Sequence, residues 1–182
     1  MLDENGDKSF VELVKDAYEN PAKAGKLQFT NHFHLKRGPY DIISVMDENT
    51  DNHPYTIKGM FIDLYDPKLP VLPEKTIDPG TQALLYDLSR IENKKQPQVL
   101  AAAARIYQEV VKRNSYSFVA KSPVKTTNSM RVLLPKEAKK IVVTDAEGKP
   151  LTDAESVWDK NSNTYHMNFE NSPQGIHVSL EW

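Results

Sequence analysis

The last seven residues, Ile176-His-Val-Ser-Leu-Glu-Trp182, decide the fold class. Aliphatic side chains at positions 176, 178 and 180 alternate with polar side chains at positions 177, 179 and 181. Because successive side chains of a β-strand point to opposite faces, this alternation predicts a strand with one buried face and one solvated face. The pattern is typical of an antiparallel sheet. We therefore expect the three aliphatic side chains to face a core and the three polar side chains to face solvent.

The same alternation recurs through the last third of the chain. In Tyr165-His-Met-Asn-Phe169, the two aromatic rings and the methionine share one face, and the polar side chains share the other. Asp145-Ala-Glu-Gly148 is typical of a hairpin turn with glycine at its left-handed position. Alternation also predicts strands at residues 116–120, 130–134 and 141–144.

The first half of the chain carries four further strand segments, at residues 29–36, 40–46, 55–64 and 82–88. Arg37-Gly38-Pro39 is a turn-like break between the first two. The three prolines of residues 66–73 cannot donate to a sheet ladder, which predicts an extended edge or crossing segment there. About ten short strands separated by turns predict an all-β, mainly antiparallel fold. We expect a β-sandwich with one short N-terminal helix.

Residues 99–112, with the sequence VLAAAARIYQEVVK, admit two interpretations. Alanine and arginine favour a helix by propensity. The flanking regions are strand-like, however, and no good N-cap residue lies between Pro97 and Val99. The extended interpretation is favoured, and the helical alternative stays open.

One amphipathic helix is predicted near the N-terminus. Ser9 and Glu12 form a capping box, which satisfies two backbone donors at a helix start. Asn20-Pro21 ends the helix, because proline disfavours helical geometry in the residue before it. A short helix is unstable alone, so its apolar stripe must pack on the rest of the chain or on a neighbouring domain. The predicted contact residues are Phe10, Leu13, Val14 and Tyr18.

Composition argues against several function classes. A formal net charge of −2 disfavours a dedicated nucleic-acid binder, which usually has a basic excess. No apolar run is long enough to span a membrane, and the first residues lack the features of a signal peptide. Cysteine is absent, which excludes disulfides and thiol catalysis. The polar start followed by a helix predicts a chain cut from a longer protein, with a helix and linker at 1–26 and a β-sandwich domain at 27–182.

The candidate metal-binding motif in the sequence is a single pair of histidines. His32-x-His34 places two imidazoles on one face of a strand, but a tetrahedral zinc site needs more ligands. We therefore expect no metal and no cofactor. Both histidines are predicted to face solvent, with Phe33 and Leu35 inside.

Two kinds of side chain are candidates for sugar chemistry. Asp63 and Asp66 are carboxylates of the kind that a glycosidase uses, but nothing in the sequence brings them together around a substrate. No residue is therefore assigned a catalytic role. Flat aromatic rings can stack on pyranose faces, and the candidates are Trp158, Tyr165 and Tyr40. The alternative is that the tryptophan anchors the core or an edge of the sandwich.

Three longer stretches carry a resemblance to a known class of domain. They are FHLKRGPYDIISVMDE at residues 33–48, FIDLYDPKLPV at 61–71 and PGTQALLYDL at 79–88. The closing pattern around Trp158-Asp159 and Asn171-Ser-Pro-Gln-Gly175 fits with them. Over residues 27–182 the chain resembles the β-sandwich domain that follows the catalytic part of large secreted bacterial glycoside hydrolase-like proteins.

The resemblance implies a setting and a partner. It implies a strand at 99–112, an upstream catalytic domain in the same parent protein, and a secreted, periplasmic or cell-surface location. It carries no catalytic residue onto this chain. The leading hypothesis is a non-catalytic accessory domain that packs against and stabilises the catalytic domain. The alternatives are a carbohydrate-binding module that uses exposed aromatic rings and a small glycoside hydrolase that uses a carboxylate pair.

Overall fold

The computed structural model describes residues 4–47 and 52–182. In these residues, helix α1 (Glu4–Glu19) precedes thirteen strands in three antiparallel sheets. The five-stranded sheet contains β1 (His32–Arg37), β2 (Tyr40–Val45), β3 (Tyr55–Asp63), β4 (Val71–Ile77) and β5 (Gln82–Asp87). The two four-stranded sheets contain β6 (Gln98–Ala102), β7 (Arg105–Lys112), β8 (Ser115–Lys121), β9 (Thr127–Leu133), β10 (Lys140–Thr144), β11 (Glu155–Asp159), β12 (Thr164–Glu170) and β13 (Ile176–Glu181).

The eight strands from β6 onward form a sandwich. One sheet has the order β10-β13-β8-β7 and the other has the order β11-β12-β9-β6. Inward side chains from both sheets share a single core. Its fully buried members include Tyr116, Phe118, Met130, Val132, Met167, Phe169, Val178 and Leu180. The predicted all-β, sandwich-like class is confirmed.

Strand β13 follows the predicted alternation. It lies between β8 and β10, and Val178 pairs with Phe118 on one side and Val143 on the other. The three aliphatic positions are at most 3% exposed. The polar positions 177 and 181 are exposed, and Ser179 is half-buried. The prediction for the terminal strand is therefore confirmed.

The first five strands form a separate curled sheet with the order β1-β2-β5-β3-β4. A bulge between Lys58 and Phe61 interrupts the pairing of β3 with β4, and bulges bend the strand that carries them. The ring of Tyr55 in β3 stacks on His32 in β1 at 3.8 Å, although these strands are not neighbours in the sheet. The sheet therefore closes partly on itself around its own core, formed by Ile43, Val45, Phe61, Ile77, Ala83 and Leu85.

A third apolar cluster joins the curled sheet to the sandwich. Ile62 and Leu69 from the first part of the chain pack with Leu100 and Leu133 from the sandwich. The buried Arg131 strengthens the junction, because its Nε donates to the Leu69 carbonyl oxygen at 2.8 Å. The two units are thus connected by both apolar packing and a buried hydrogen bond.

The strand count exceeds the predicted ten for identifiable reasons. Strand β4 begins within the proline-rich region, which the sequence predicted only as an extended edge or crossing segment. Residues 99–112 are extended as favoured, but they divide into β6 and β7 at a bend at Ala103-Ala104. The helical alternative for this segment is wrong.

The start of α1 differs from the prediction. The helix begins at Glu4, so Ser9 and Glu12 lie within it, and the capping-box assignment is wrong. Serine is tolerated in helix interiors at a small cost, so the Ser-x-x-Glu pattern alone does not fix a boundary. The predicted end is confirmed, since the helix stops at Glu19 and the Asn20 amide donates to the Asp16 carbonyl oxygen.

Candidate functional site

The convex face of the curled sheet carries a patch of exposed apolar side chains. Leu35 lies opposite Ile42 across the β1–β2 pair, and Ile42 lies opposite Leu84 in β5. Phe33 and Tyr40 extend the same face along their strands. The exposed fractions are 69% for Phe33, 57% for Leu35, 39% for Ile42 and 38% for Tyr40. We call Phe33, Leu35, Tyr40 and Ile42 the outer apolar face.

A contiguous exposed apolar patch of this kind is unusual on a monomeric surface and is typical of an interaction site. The register explains why it is continuous. Side chains two residues apart on one strand share a face, and paired residues on adjacent strands also share it. The four residues therefore form one surface instead of scattered single exposures.

The prediction that the two histidines face solvent with Phe33 and Leu35 inside is wrong. The paired register places His34 on the same face as Asp41 and Ile43, which is the concave, buried face. His34 lies on the inner face because its ring nitrogens join a polar network there by bonding with Asp41 and the hydroxyl of Tyr55. Because β2 is apolar on both faces, the hydrophobic pattern alone did not distinguish the inner face from the outer one.

The network centres on Asp41, which is 1% exposed. Its Oδ1 lies 2.5 Å from Nε2 of His34. Its Oδ2 lies 3.3 Å from Nη2 of Arg90, without a well-directed hydrogen bond. The Arg90 guanidinium also contacts Asp87 at 3.1 Å and donates to the Gly38 carbonyl oxygen at 2.8 Å. Buried charges persist where such partners compensate them, so this cluster is a structural element of the curled sheet.

The histidines have further partners in the same region. Nδ1 of His34 lies 3.1 Å from the hydroxyl of Tyr55, whose ring stacks on His32. Within residues 4–47 and 52–182, no group of three His, Cys, Asp or Glu side chains is arranged to hold a metal ion.

Helix α1 presents a second exposed apolar surface. The four predicted contact residues lie on it with exposed fractions of 58% for Phe10, 66% for Leu13, 38% for Val14 and 40% for Tyr18. None of the three apolar clusters found in the described part of the chain includes a residue of α1. The helix therefore has an apolar stripe that its own sheets do not bury.

The three candidate aromatic rings lie in different environments. Tyr165 is 5% exposed, and its hydroxyl accepts a hydrogen bond from the Ala138 amide. Trp158 packs against the sandwich core with its ring 4.8 Å from Tyr165. Only Tyr40 is exposed and borders a cavity. The structure therefore does not bring the three rings together into one platform.

That cavity, of about 520 Å³, lies where the curled sheet meets strand β6 of the sandwich. We call it the junction groove. Its lining includes Tyr40, Leu64, Asp66, Ala102, Thr127 and Ser129. Its aliphatic walls are continuous with the apolar cluster that joins the two units, to which Leu64 and Leu69 belong.

The two candidate carboxylates are not presented as a pair. Asp63 is 4% exposed and forms an ion pair with Nζ of Lys75 at 2.7 Å. Asp66 is half-buried in the wall of the junction groove, where its Oδ1 accepts from the Lys68 amide at 2.8 Å. Asp63 does not line the groove. A glycosidase needs both carboxyl groups beside one bound sugar.

A histidine of the sandwich gives a testable pH dependence. His166 is half-buried, with Nε2 3.0 Å from Oγ of Ser129. Burial lowers its pKa below the ordinary value of 6.5, the positive charge of Arg131 lowers it further, and Glu155 opposes the shift. The unfolded chain therefore binds this proton more readily than the folded chain. Stability begins to fall as the pH drops below about 6.5, the pKa in the unfolded chain, and the loss is complete only below the lowered pKa of the folded chain.

We expect His166→Gln to make the free energy of unfolding less dependent on pH. Urea melts of the wild type and the variant, at about pH 7.5 and about pH 5.5, measure the difference. The wild type should lose more stability on acidification than the variant. Equal losses in the two proteins would contradict the assignment.

Comparisons of the chain with known protein families, curated proteins and solved structures found no match. In the part of the chain that the structure describes, no helix is both long and apolar enough to cross a membrane. The candidate sites therefore rest on the geometry of this chain alone.

Proposed function

We propose that this chain is a non-catalytic accessory domain that packs against, and stabilises, the catalytic domain of a larger carbohydrate-active protein. The observation that carries the proposal is the outer apolar face. A sheet face with Phe33 and Leu35 more than half exposed gains free energy when a partner covers it, because apolar surface is removed from water.

The helix supports the same proposal. An isolated 16-residue helix is marginal in water, and most helical stability in proteins comes from packing of the apolar face. The stripe at Phe10, Leu13 and Tyr18 remains exposed on this chain, so a partner that covers it would stabilise α1. The proposed partner presents apolar surface to both the sheet and the helix.

The arrangement of the carboxylates favours a non-catalytic role. Asp63 is buried and neutralised by Lys75, while Asp66 lies in a separate cavity wall. The sugar-degrading, secreted bacterial setting rests on the resemblance of residues 27–182 and is part of the proposal.

Binding of this chain to the separately produced catalytic domain of the parent protein tests the proposal. We expect Leu35→Asp to weaken the complex by at least about a hundredfold, because it places a charge at the centre of a desolvated apolar contact. Isothermal titration calorimetry measures the affinity. The chain itself should stay folded, since Leu35 is 57% exposed.

Val157→Asp is the matched control. Val157 is 64% exposed on β11 of the sandwich, so the substitution has the same chemistry on a different surface. It should leave the affinity unchanged. Equal weakening by the two variants, or no measurable binding by the wild type, would refute docking through the outer apolar face.

A further inference from the structure

We infer that the junction groove binds a neutral sugar ring, one pyranose unit of an oligosaccharide. The groove shares Tyr40 with the outer apolar face, but all of its lining belongs to this chain, so sugar binding can be tested on the isolated chain without a partner. Its volume of about 520 Å³ lies in the range of small-molecule sites.

The apolar walls of the groove match the apolar face of a pyranose ring. The C–H groups of a sugar ring form a flat apolar face, and the groove offers an aromatic ring and aliphatic side chains to cover it. Tyr40 is 38% exposed at one wall, and its ring is held edge-to-face against Tyr86 at 5.5 Å and 86°. Leu64 and Ala102 supply aliphatic surface beside it.

The polar groups of the groove select a neutral polyol. Asp66 can accept hydrogen bonds from sugar hydroxyls, and the Thr127 hydroxyl can donate or accept. The Ser129 hydroxyl already bonds with Nε2 of His166 and keeps one further accepting position for a ligand. Among the described residues, no Lys, Arg or His lines the groove, so an anionic ligand would meet the carboxylate of Asp66 without a neighbouring positive charge. Small-molecule sites usually have mostly apolar walls and a small number of polar groups that orient the ligand.

The turn that carries Asp66 is held rigidly before any ligand binds. The Leu69 amide donates to the Asp66 carbonyl oxygen, and Arg131 donates to the carbonyl oxygen of Leu69. Leu69 has a φ of 46°, a left-handed conformation that is costly for a bulky side chain. Its side chain is 7% exposed in the junction cluster, which holds this conformation in place. A preordered wall lowers the entropy cost of binding.

Titration of the isolated chain with cellopentaose, xylopentaose, mannopentaose and laminaripentaose, followed by amide NMR shifts, tests the inference. At least one of these probes should give saturable shifts at Leu64, Ala102 and Thr127. Tyr40→Ala should reduce the affinity by at least about tenfold, because the variant removes the aromatic ring that covers the apolar face of the sugar. Asp66→Asn should reduce it by about three- to tenfold through loss of a charged acceptor.

Tyr107→Ala is the control, because Tyr107 is 43% exposed on the edge strand β7 and is not part of the groove lining. It should leave the shifts and the affinity unchanged. A lysine-containing tetrapeptide provides a cationic probe for the same carboxylate. The inference is overturned if none of the four sugars shifts the groove amides, if only the peptide does, or if Tyr107→Ala weakens binding as much as Tyr40→Ala.

Discussion

Replacing Val178 by aspartate is expected to prevent cooperative folding. Val178 is 1% exposed at the centre of β13, with Phe118 and Val143 as its cross-strand neighbours. The substitution removes a buried aliphatic side chain, worth about 1.5 to 3 kcal/mol, and places an unpaired charge in the core at a cost of several more. That sum is comparable with the roughly 5 to 15 kcal/mol that stabilises a whole domain. Urea denaturation followed by circular dichroism measures the loss.

Ser179→Asp provides the matched control on the neighbouring position. Ser179 faces the other side of the sheet and is half-buried, so the same new charge keeps access to water. Its cost should be under about 1 kcal/mol. Equal denaturation midpoints for the two variants would show that the two faces of β13 are not distinguished, and the sandwich core would then be misplaced.

The second large effect is expected for Asp41→Ala in the curled sheet. The substitution leaves His34 and Arg90 without their shared carboxylate in a largely buried setting. Removing one partner of a buried polar cluster typically costs about 3 to 5 kcal/mol. We expect the lower end of that range, because His34 loses its carboxylate partner while Arg90 keeps its contact with Asp87. Thermal and urea melts should show this loss of stability.

Two further variants test whether the destabilisation by Asp41→Ala comes from the buried network and not merely from the loss of a carboxylate. Asp153→Ala removes an exposed aspartate elsewhere and should change stability by less than about 0.5 kcal/mol. The double variant His34→Leu, Asp41→Leu should be more stable than the two single variants predict by addition, because it removes both polar groups together. An Asp41→Ala protein as stable as Asp153→Ala would show that the cluster does not stabilise the sheet.

Strict alternation made the sandwich predictable. In β12 and β13 one face is apolar and the other polar, so a one-residue shift would expose every aliphatic side chain. The extended interpretation of residues 99–112 has a related reason, since the flanking strand-like segments outweigh the helix propensity of alanine. The bend that divides this segment was not predicted, because alanine side chains give no signal for it.

The outer apolar face could not be located from the sequence in the same way. Strand β2 contains Ile42 and Ile43 in succession, so it reads as apolar on both faces. The inner face is decided by contacts between different elements, above all the hydrogen bond of Asp41 with His34 and the ion pair of Asp41 with Arg90. The helix stripe was recognised from its spacing alone, because α1 is amphipathic whatever it packs against.

The junction groove depends even more on tertiary structure. Tyr40 was a sequence candidate, but its association with Asp66, Thr127 and Ser129 arises only when the curled sheet meets strand β6. Tyr165 and Trp158 were equally good candidates by residue type. The alternation of residues 165–169 indicates that Tyr165 lies on an apolar face, and the register of β11 with β12 places Trp158 opposite it, against the sandwich core.

Amide hydrogen exchange of α1 tests the proposed accessory role most directly. In the isolated chain the helix lacks a covering surface, so its amides should exchange at nearly the rate of an unstructured peptide. Addition of the catalytic domain of the parent protein should slow exchange across Glu4–Glu19 by at least about tenfold, as packing stabilises the helix. Full protection of α1 in the isolated chain, or unchanged exchange after the catalytic domain is added, would contradict the account.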